Sequence, residues 1–320
     1  METETITVDC SDRDNDILQI LAGNHDANLE ILAREFRTSV VLRGHTLKFI
    51  EADPARTGDI RRVIELAFEL IDERMELTTS DMAYLCSLAR SRKLSGFSAR
   101  MMKPVAKTRT GKVIYPRTKG QGTLCEAYRT SDITFAVGAA GTGKTYLAVA
   151  YAVDQLRKEK TSRIILTRPA VEAGESLGFL PGDMKEKVDP YLRPLYDALY
   201  DTLGQETTEK FLEREIIEIA PLAFMRGRTL NDAIVILDEA QNATKAQMKM
   251  FLTRLGKNAK MIVTGDITQI DLIRKQESGL VQACNILDGI DGISVVRLSE
   301  SDVVRHPLVA KIIAAYSTVE

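Results

Sequence analysis

The chain has 320 residues, of which 44% are hydrophobic and 28% charged, a composition typical of globular proteins and a length that suggests about two domains. No apolar run approaches the roughly 18 residues that a membrane span needs, and the acidic amino terminus predicts no signal peptide. Four cysteines without a CxxC pair and three histidines without HExxH argue against disulfide scaffolds, zinc ribbons and zinc hydrolases, and predict a cytoplasmic protein.

The net charge of −2 hides a strong segregation of charge along the chain. Between Arg90 and Arg129 there are eleven lysines and arginines and one acid, Glu126, so this basic segment (residues 90–129) carries a local net charge of +10. A basic segment on an otherwise acidic chain localises attraction for a polyanion such as nucleic acid. A solvated linker is the alternative interpretation.

Residues 1–77 predict a small α/β domain with the order β-α-α-β-β-α. The predicted elements are Ile6–Asp9, a helical region Asp16–Phe36 interrupted at Gly23-Asn24, the strands Ser39–Leu42 and Leu47–Ile50, and a helix Asp59–Arg74. This order resembles a KH-type RNA-binding module, which grips RNA with a GxxG loop between its first two helices. Here that turn is Gly23-Asn-His-Asp26, with an acid where the second glycine belongs. Packing or oligomer contacts are the alternative role for this domain.

Residues 78–129 predict a linker consisting of a helix from Thr79 to Leu94 and a short basic hairpin around Thr108–Gly111. Residues 130–320 then alternate strands with helices such as Lys144–Arg157 and Lys245–Leu255, which predicts a mostly parallel sheet covered on both faces. The strand candidates are Ile133–Val137, Arg163–Thr167, Ile216–Ile219, Ala233–Leu237, Met261–Thr264 and Ser294–Leu298.

The segment from Gly138 to Thr145 matches GxxxxGK[ST] between an apolar strand and a helix, the context that identifies a phosphate-binding P-loop. Glycines let successive backbone N–H groups point at phosphate oxygens, and the helix N-terminus adds a partial positive charge. Lys144 then brings a charge to the β- and γ-phosphates, and the Thr145 hydroxyl ligates Mg²⁺. The predicted phosphate-binding residues are Gly138, Ala139, Ala140, Gly141, Thr142, Gly143, Lys144 and Thr145.

Two further motifs follow apolar strands. Asp238 and Glu239 end the strand Ala233–Leu237 in the manner of a Walker B sequence, which predicts that Asp238 holds Mg²⁺ through water and that Glu239 orients or deprotonates the attacking water. Gln269 follows the strand Met261–Thr264, where a carboxamide can read the γ-phosphate. A helix cap and a capped turn are the structural alternatives.

The sequence resembles the PhoH family of P-loop ATPases, whose core is similar to the first RecA-like domain of superfamily 1 helicases. The stretches that carry the resemblance span about residues 120–310: Gly141–Ala148, Thr167–Glu175, Leu177–Asp183, Pro221–Leu230, Leu237–Asn242 and Asp302–Val309. Ala139 stands where the family usually has proline, and Asp271-Leu272 lacks the proline that commonly follows. The KH-like first domain also fits the PhoH-like branch.

The resemblance implies further roles. Gln121 matches a helicase-type Q motif that reads adenine and favours ATP over GTP, Gln241 senses the γ-phosphate with Gln269, and Arg168 contacts phosphate or nucleic acid unless it forms a surface ion pair. Only 18 residues follow Asp302, which leaves no room for a second motor domain. A ring in which each protomer supplies an arginine to its neighbour is therefore expected, the candidates being Arg226, Arg228 and Arg305. The family resemblance implies that this ring is a hexamer.

The leading functional hypothesis is a Mg²⁺-dependent ATPase that remodels or processes RNA, with possible helicase activity. The family association implies a metal-dependent endoribonuclease of ribosomal RNA maturation as a partner. An ATP-gated oligomeric scaffold for such a partner, without helicase activity of its own, is the alternative. A small-molecule kinase is disfavoured because Glu239 and Gln269 point to water as the phosphoryl acceptor.

Overall fold

A computed structural model of the chain describes residues 3–169, 184–272 and 278–304, with only the backbone of residues 100 and 184–191. The chain divides into two compact units. The first comprises Met1–Lys103 with Arg117–Lys119, and the second comprises Pro104–Pro116 with Gly120–Glu320. No helix within the described ranges is long and apolar enough to cross a bilayer.

The first unit has a three-stranded antiparallel sheet in the order β1-β3-β2, with helices packed against it. Its elements are β1 Glu4–Asp9, α1 Asn15–Ala22, α2 Ala27–Phe36, β2 Ser39–Arg43, β3 Thr46–Ala52, α3 Thr57–Arg74 and α4 Thr79–Arg90. The element order is the predicted β-α-α-β-β-α followed by α4. The likeness to a KH module stays a prediction.

The turn between α1 and α2 contains three residues with positive φ, namely Gly23, His25 and Asp26. Gly23 has φ 76°, and Asp26 has φ 58°, in the left-handed region that aspartate tolerates better than most side chains. The backbone at Asp26 is therefore one that a glycine would also adopt, while its side chain adds a negative charge to the turn.

The second unit is built on a six-stranded sheet in the order β11-β6-β10-β9-β7-β8, in which every described pairing is parallel. Its elements are β4 Ala106–Lys107, β5 Val113–Ile114, α5 Lys119–Thr130, β6 Ile133–Val137, α6 Lys144–Arg157, β7 Arg163–Arg168, α7 Met184–Leu203, α8 Gln205–Glu213, β8 Ile217–Pro221, β9 Ala233–Leu237, α9 Lys245–Leu252, β10 Lys260–Gly265, α10 Gly279–Leu287 and β11 Ile293–Arg297. The predicted α/β class with a parallel sheet is confirmed.

Buried apolar side chains lie on both faces of this sheet. In β9, Ile234 and Ile236 pack with α6 and α7 on one face, while Val235 and Leu237 pack with α9 and α10 on the other. All five residues of β9 are buried, as expected for a central strand of a parallel sheet. The sequence prediction of this strand is confirmed.

The segment 78–129, which the sequence predicts as a separate linker, is divided between the two units. Helix α4 buries Leu85 and Cys86 in the core of the first unit. The β4–β5 hairpin and α5 instead bury Val105 and Leu124 in the core of the second. Because the segment is rich in lysine and arginine, its sequence gives little sign of the apolar residues that pack into the two cores.

Candidate active site

The turn from β6 into α6 curls around the side chain of Lys144. Gly141 and Gly143 have φ values of 84° and 79°, which L side chains rarely adopt. The Lys144 ammonium donates to the carbonyls of Gly138 at 2.6 Å and Ala139 at 2.8 Å, and the residue is 9% exposed. Because these glycines free the loop to turn its carbonyls inward, the cation is held at the centre of the loop.

Gly138 also has no room for a side chain. A Cβ at this position would lie 2.7 Å from the Leu298 carbonyl oxygen at the end of β11. The neighbouring strand therefore sets the identity of the first loop residue, and the loop is fixed to the sheet at its start.

The order of the strands explains which motifs meet. Strand β10 lies between β6 and β9, so the third motif, which follows β10, is placed between the glycine-rich loop and the acid that ends β9. Carboxyl ends of parallel strands share one edge of the sheet, which is where ligands of such folds bind.

Thr145 and Asp238 are directly hydrogen-bonded across this edge. The Thr145 hydroxyl donates to Asp238 Oδ1 at 2.6 Å, and the Thr264 hydroxyl donates to the same oxygen at 2.6 Å. Asp238 is 3% exposed, so both hydroxyls hold a buried carboxylate in place. The Asp238 carboxylate and the Thr145 hydroxyl are thus close enough to bind the same divalent ion.

The donor set fits Mg²⁺ better than a softer metal. It consists of a hydroxyl and a carboxylate oxygen, and no group of three or more His, Cys, Asp or Glu side chains suited to a metal occurs within the described ranges. Magnesium commonly binds through one or two protein oxygens and completes its shell with phosphate oxygens and water. Thr145, with Asp238 beside it, would hold the ion.

Glu239 presents its carboxylate to the cleft from a left-handed backbone with φ 51°. Its Oε2 accepts from the Gln241 side-chain amide at 2.5 Å, and Arg168 lies 3.6 Å from its Oε1. The side chain is 35% exposed, so the carboxylate remains accessible to water. Arg168 thus forms an ion pair with Glu239, the glutamate of the Walker B sequence.

Gln241 links the ends of two strands. Its Nε2 donates to Glu239, while its Oε1 accepts from the backbone N–H of Asp266 at 3.0 Å. The amide is 1% exposed, and a Cβ on Gly265 would come within 2.9 Å of its oxygen. A displacement of Glu239 would therefore be transmitted to the strand end at Gly265 and Asp266.

Asp266 is a site residue that the sequence analysis missed. Its Oδ2 accepts from the backbone N–H of Ala140 at 3.1 Å, and its Oδ1 accepts from the Thr268 N–H and hydroxyl at 2.9 and 2.6 Å. This carboxylate joins the third motif to the glycine-rich loop. An acid directly after an apolar strand was the available signal, but the sequence pattern assigns a role only to Gln269, three residues later.

These groups surround a cavity of about 470 Å³. Lys144, Thr145, Asp238, Glu239 and Gln269 line it. Gln269 is exposed, and its role as a γ-phosphate sensor stays a prediction. The cavity is large enough for a polyphosphate ligand and brings together a fixed cation, the hydrogen-bonded Thr145–Asp238 pair and a water-accessible carboxylate.

Two further residues, to which the sequence analysis assigns no role, also line this cavity. Tyr146 and Asp197 both line it, and the Tyr146 hydroxyl donates to Asp201 at 2.6 Å. Tyr146 follows Thr145 on α6, whereas Asp197 is on α7, far from the motifs in sequence, so only the fold places Asp197 in the cleft.

Gln121 lies beneath the glycine-rich loop rather than on the wall of the cavity. It is 4% exposed on α5, and its Nε2 donates to the Thr142 carbonyl at 3.0 Å. The side chain therefore supports the loop from below, and its reading of adenine stays a prediction.

The three arginines expected to act on a neighbour differ in their surroundings. Arg228 is held by Glu218 through two hydrogen bonds of 2.6 and 2.7 Å, which raise the pKa of its guanidinium. Arg226 is exposed beside a short 3₁₀ helix, and Arg305 lies outside the described residues.

A parallel sheet with a glycine-rich loop before a helix, and an acid-ended strand two positions away, defines a P-loop NTPase fold. The sequence model of the PhoH-like protein family matches residues 113–317. The chain belongs to the PhoH family.

Relatives from several bacteria agree with this assignment. A PhoH-like protein of Bacillus subtilis is 53% identical over 92% of each chain. A PhoH-like protein of Mycobacterium tuberculosis is 46% identical over 95% of this chain and 86% of its own. Protein PhoH of Escherichia coli is 48% identical over 64% of this chain and 58% of its own.

Among solved structures, the chain is similar to the Sulfolobus solfataricus SWI2/SNF2 ATPase core in complex with dsDNA. The TM-score is 0.33 and the identity 14%, over 55% of this chain and 42% of that one. A similarity of this extent carries no functional argument.

Proposed function

We propose that the protein is a Mg²⁺-dependent ATPase of the cytoplasm whose hydrolysis of ATP is coupled to RNA remodelling or processing. The observation that carries the proposal is the convergence of Lys144, the Thr145–Asp238 pair and the accessible carboxylate of Glu239 on one cleft. Four free, buried cysteines agree with a reducing compartment.

Each residue has a distinct role in the reaction of ATP with water to give ADP and phosphate. The Lys144 ammonium moves its hydrogen bonds from the loop carbonyls to β- and γ-phosphate oxygens, and the loop N–H groups bind the remaining oxygens. Thr145 and Asp238 hold the magnesium ion, which when bound supplies charge neutralisation at those phosphates.

Glu239 acts on the attacking water. Its carboxylate accepts a hydrogen bond from water, orients the oxygen toward the γ-phosphorus, and takes the proton as the bond to the leaving oxygen breaks. Gln241 and Arg168 fix the carboxylate in this position. After hydrolysis, Gln241 passes the change at Glu239 to the third motif through Asp266.

Two substitutions test the roles in the cleft. Lys144→Ala removes the fixed cation and is expected to abolish ATP binding, whereas Glu239→Gln is expected to bind ATP and turn over at least about a hundredfold slower. Glu206→Gln, at a side chain 84% exposed on α8, is the matched control and should keep full activity. Near-normal turnover of Glu239→Gln would reject its assigned role.

The basic segment supports the coupling to RNA, because phosphates attract its excess positive charge. The ATPase rate is measured with and without single-stranded RNA across a salt series. Stimulation that declines as salt rises supports the coupling, since phosphate contacts release counterions. Absence of stimulation, with binding to a ribosomal RNA-maturation endoribonuclease that depends on ATP, would favour the scaffold alternative.

We also propose that the active form is a hexameric ring. The surroundings of the arginines favour Arg226 as the residue that acts on the neighbouring site, because it is exposed whereas Arg228 is engaged by Glu218. Light scattering after size exclusion that gives a monomer at all ATP concentrations would contradict the ring.

A further inference from the structure

A second cavity, of about 460 Å³, lies in the second unit at the edge of the sheet opposite to the cleft. It is bordered by residues near the starts of three strands, namely Thr161 before β7, Ile234 in β9 and Lys260 in β10. The glycine-rich loop follows the end of β6. Because the strands are parallel and five or six residues long, the two cavities are about 15–20 Å apart. We call it the lower cavity.

The lower cavity is lined by more positive than negative charge. Arg129, Lys158, Lys160 and Lys260 line it, against the single carboxylate of Asp154. The cations come from the end of α5, the segment after α6 and the start of β10, so only the fold brings them together. Lys158 is 2.7 Å from Asp154, which leaves the other three cations without a carboxylate from this lining.

Two of the cations are fixed by backbone carbonyls. The Lys260 ammonium donates to Ser131 O at 2.5 Å and to Arg129 O at 3.4 Å, and burial lowers its pKa. The Arg129 guanidinium donates to Pro104 O at 3.1 Å and to Glu126 at 3.2 Å. A bound anion would therefore meet positioned donors and would offset the partial burial of Lys260.

Tyr151 adds a neutral donor to the same wall. Its ring packs against Tyr128 at 5.4 Å, and burial raises the pKa of its hydroxyl to about 12. The hydroxyl stays protonated at neutral pH, and no hydrogen bond joins it to another side chain or carbonyl in the part of the chain that the structure describes. Ammonium, guanidinium and hydroxyl donors around one cavity match the oxygens of a phosphate group.

We propose that the lower cavity is a second phosphate-binding site, distinct from the ATP cleft. The phosphate belongs either to an RNA strand or to a small ligand such as a free nucleotide or pyrophosphate. RNA is favoured by continuity with the basic segment, since Arg129 ends that segment and Arg157 binds the Lys107 carbonyl of its hairpin at 2.6 Å. The site does not depend on ATP hydrolysis in the cleft.

The test reverses two charges of the lower cavity in the full-length protein. The lower-cavity variant is the double variant Lys158→Glu, Lys160→Glu. The control, called the α8 variant, is the double variant Lys210→Glu, Arg214→Glu, which makes an equal charge change at exposed positions in and just after α8. Fluorescence anisotropy measures the binding of a labelled single-stranded oligouridylate, and calorimetry measures the binding of pyrophosphate in a Lys144→Ala background, in which the cleft is silent. Thermal unfolding checks that both pairs of variants are folded.

If RNA supplies the phosphate, the lower-cavity variant binds the oligouridylate at least about tenfold more weakly. The slope of the logarithm of its binding constant against the logarithm of the salt concentration falls in magnitude by about 1.4, the value for two lost phosphate contacts. The α8 variant stays within about twofold of the parent, and both keep the RNA-free ATPase rate. If a small ligand supplies it, only pyrophosphate binding is lost. Retention of both RNA and pyrophosphate binding overturns the proposal. Loss of ATPase activity in Glu239→Gln leaves it standing.

Discussion

Gln121 shows how a single side chain can serve the cleft without lining it. Its buried amide donates to Thr142 O, next to the left-handed Gly143. We expect Gln121→Ala to weaken ATP and GTP binding alike by about fivefold, because one hydrogen bond to the loop contributes about 1 kcal/mol. Equilibrium binding of both nucleotides to the parent and the variant is the measurement. A selective loss of ATP binding would instead assign Gln121 to the base.

The identities of most cleft residues could be predicted from the sequence because their motifs combine a chemical requirement with a backbone requirement. Gly143, Lys144 and Thr145 are of this kind. Asp266 could not, because its partner is the Ala140 N–H, 126 positions away in the chain, and the order of the strands decides that contact. Asp197 follows the same rule, since an exposed acid on a helix carries no local signal.

Helix α4 begins with a capping box whose acid, Asp81, also belongs to a buried ion pair. Asp81 Oδ2 accepts from the Thr78 N–H at 3.0 Å and from its hydroxyl at 2.6 Å, while Oδ1 lies 3.3 Å from Arg74, both ionic side chains being 4% exposed. We expect Asp81→Ala to lower the free energy of unfolding by about 3–5 kcal/mol, because it removes one member of a buried ion pair.

Urea unfolding of the variant measures this loss. The control is Asp59→Ala, whose carboxylate is 36% exposed and pairs with Arg56 at 2.9 Å; it should change the stability by no more than about 1 kcal/mol. Equal losses of unfolding free energy in the two variants would show that the buried ion pair of Asp81 contributes no more to stability than the exposed pair of Asp59.

The strands of the large sheet were all predicted, and the bounds of helix α6 were also predicted as observed, whereas helix α5 was not predicted, for a physical reason. The run of β9 is wholly apolar and that of β6 is broken only by the β-branched Thr134, so Ala233–Leu237 and Ile133–Val137 were predicted with the observed bounds. Helix α5 was not predicted because lysine, glycine and threonine in Lys119–Thr130 give it a polar start. Its buried face, which includes Leu124 and Tyr128, is visible only once the core is known.

The proposed ring makes a prediction about mixed assemblies. Lys144→Ala has a silent cleft but keeps Arg226, and Arg226→Ala has an intact cleft but lacks the arginine. If Arg226 acts on the neighbouring protomer, mixing the two inactive variants places some intact clefts beside intact arginines and restores part of the activity. ATPase rates across mixing ratios are the measurement. Activity no greater than the sum of the separate variants would exclude a role for Arg226 in trans.

The stability of the whole chain should fall in alkaline solution. Burial raises the pKa of Cys86 and of Cys125 to about 12, and that of Cys284 to about 11. The folded chain therefore keeps protons that the unfolded chain releases from about pH 9 upward. The contribution of these thiols is complete below pH 9 and is lost as the pH rises toward 12.

Each such thiol lowers the free energy of unfolding by about 1.4 kcal/mol per pH unit within that range. Urea unfolding at several pH values from 8 to 10.5 measures the slope, and Cys125→Ala should make it shallower by the share of one group. A free energy of unfolding that does not fall with pH would contradict the burial of these thiols.

Helix α6 connects two places that are far apart on the second unit. Its first turn carries Lys144 and Thr145, and its last two turns carry Tyr151 and Asp154 on the wall of the lower cavity. If an occupant at one end shifts the helix, thermodynamic reciprocity requires that the ratio by which RNA changes the dissociation constant for ATP equals the ratio by which ATP changes that for RNA. The fourteen residues of α6 would then couple the two sites in both directions. The affinity for RNA would rise and fall as ATP binds and its products are released.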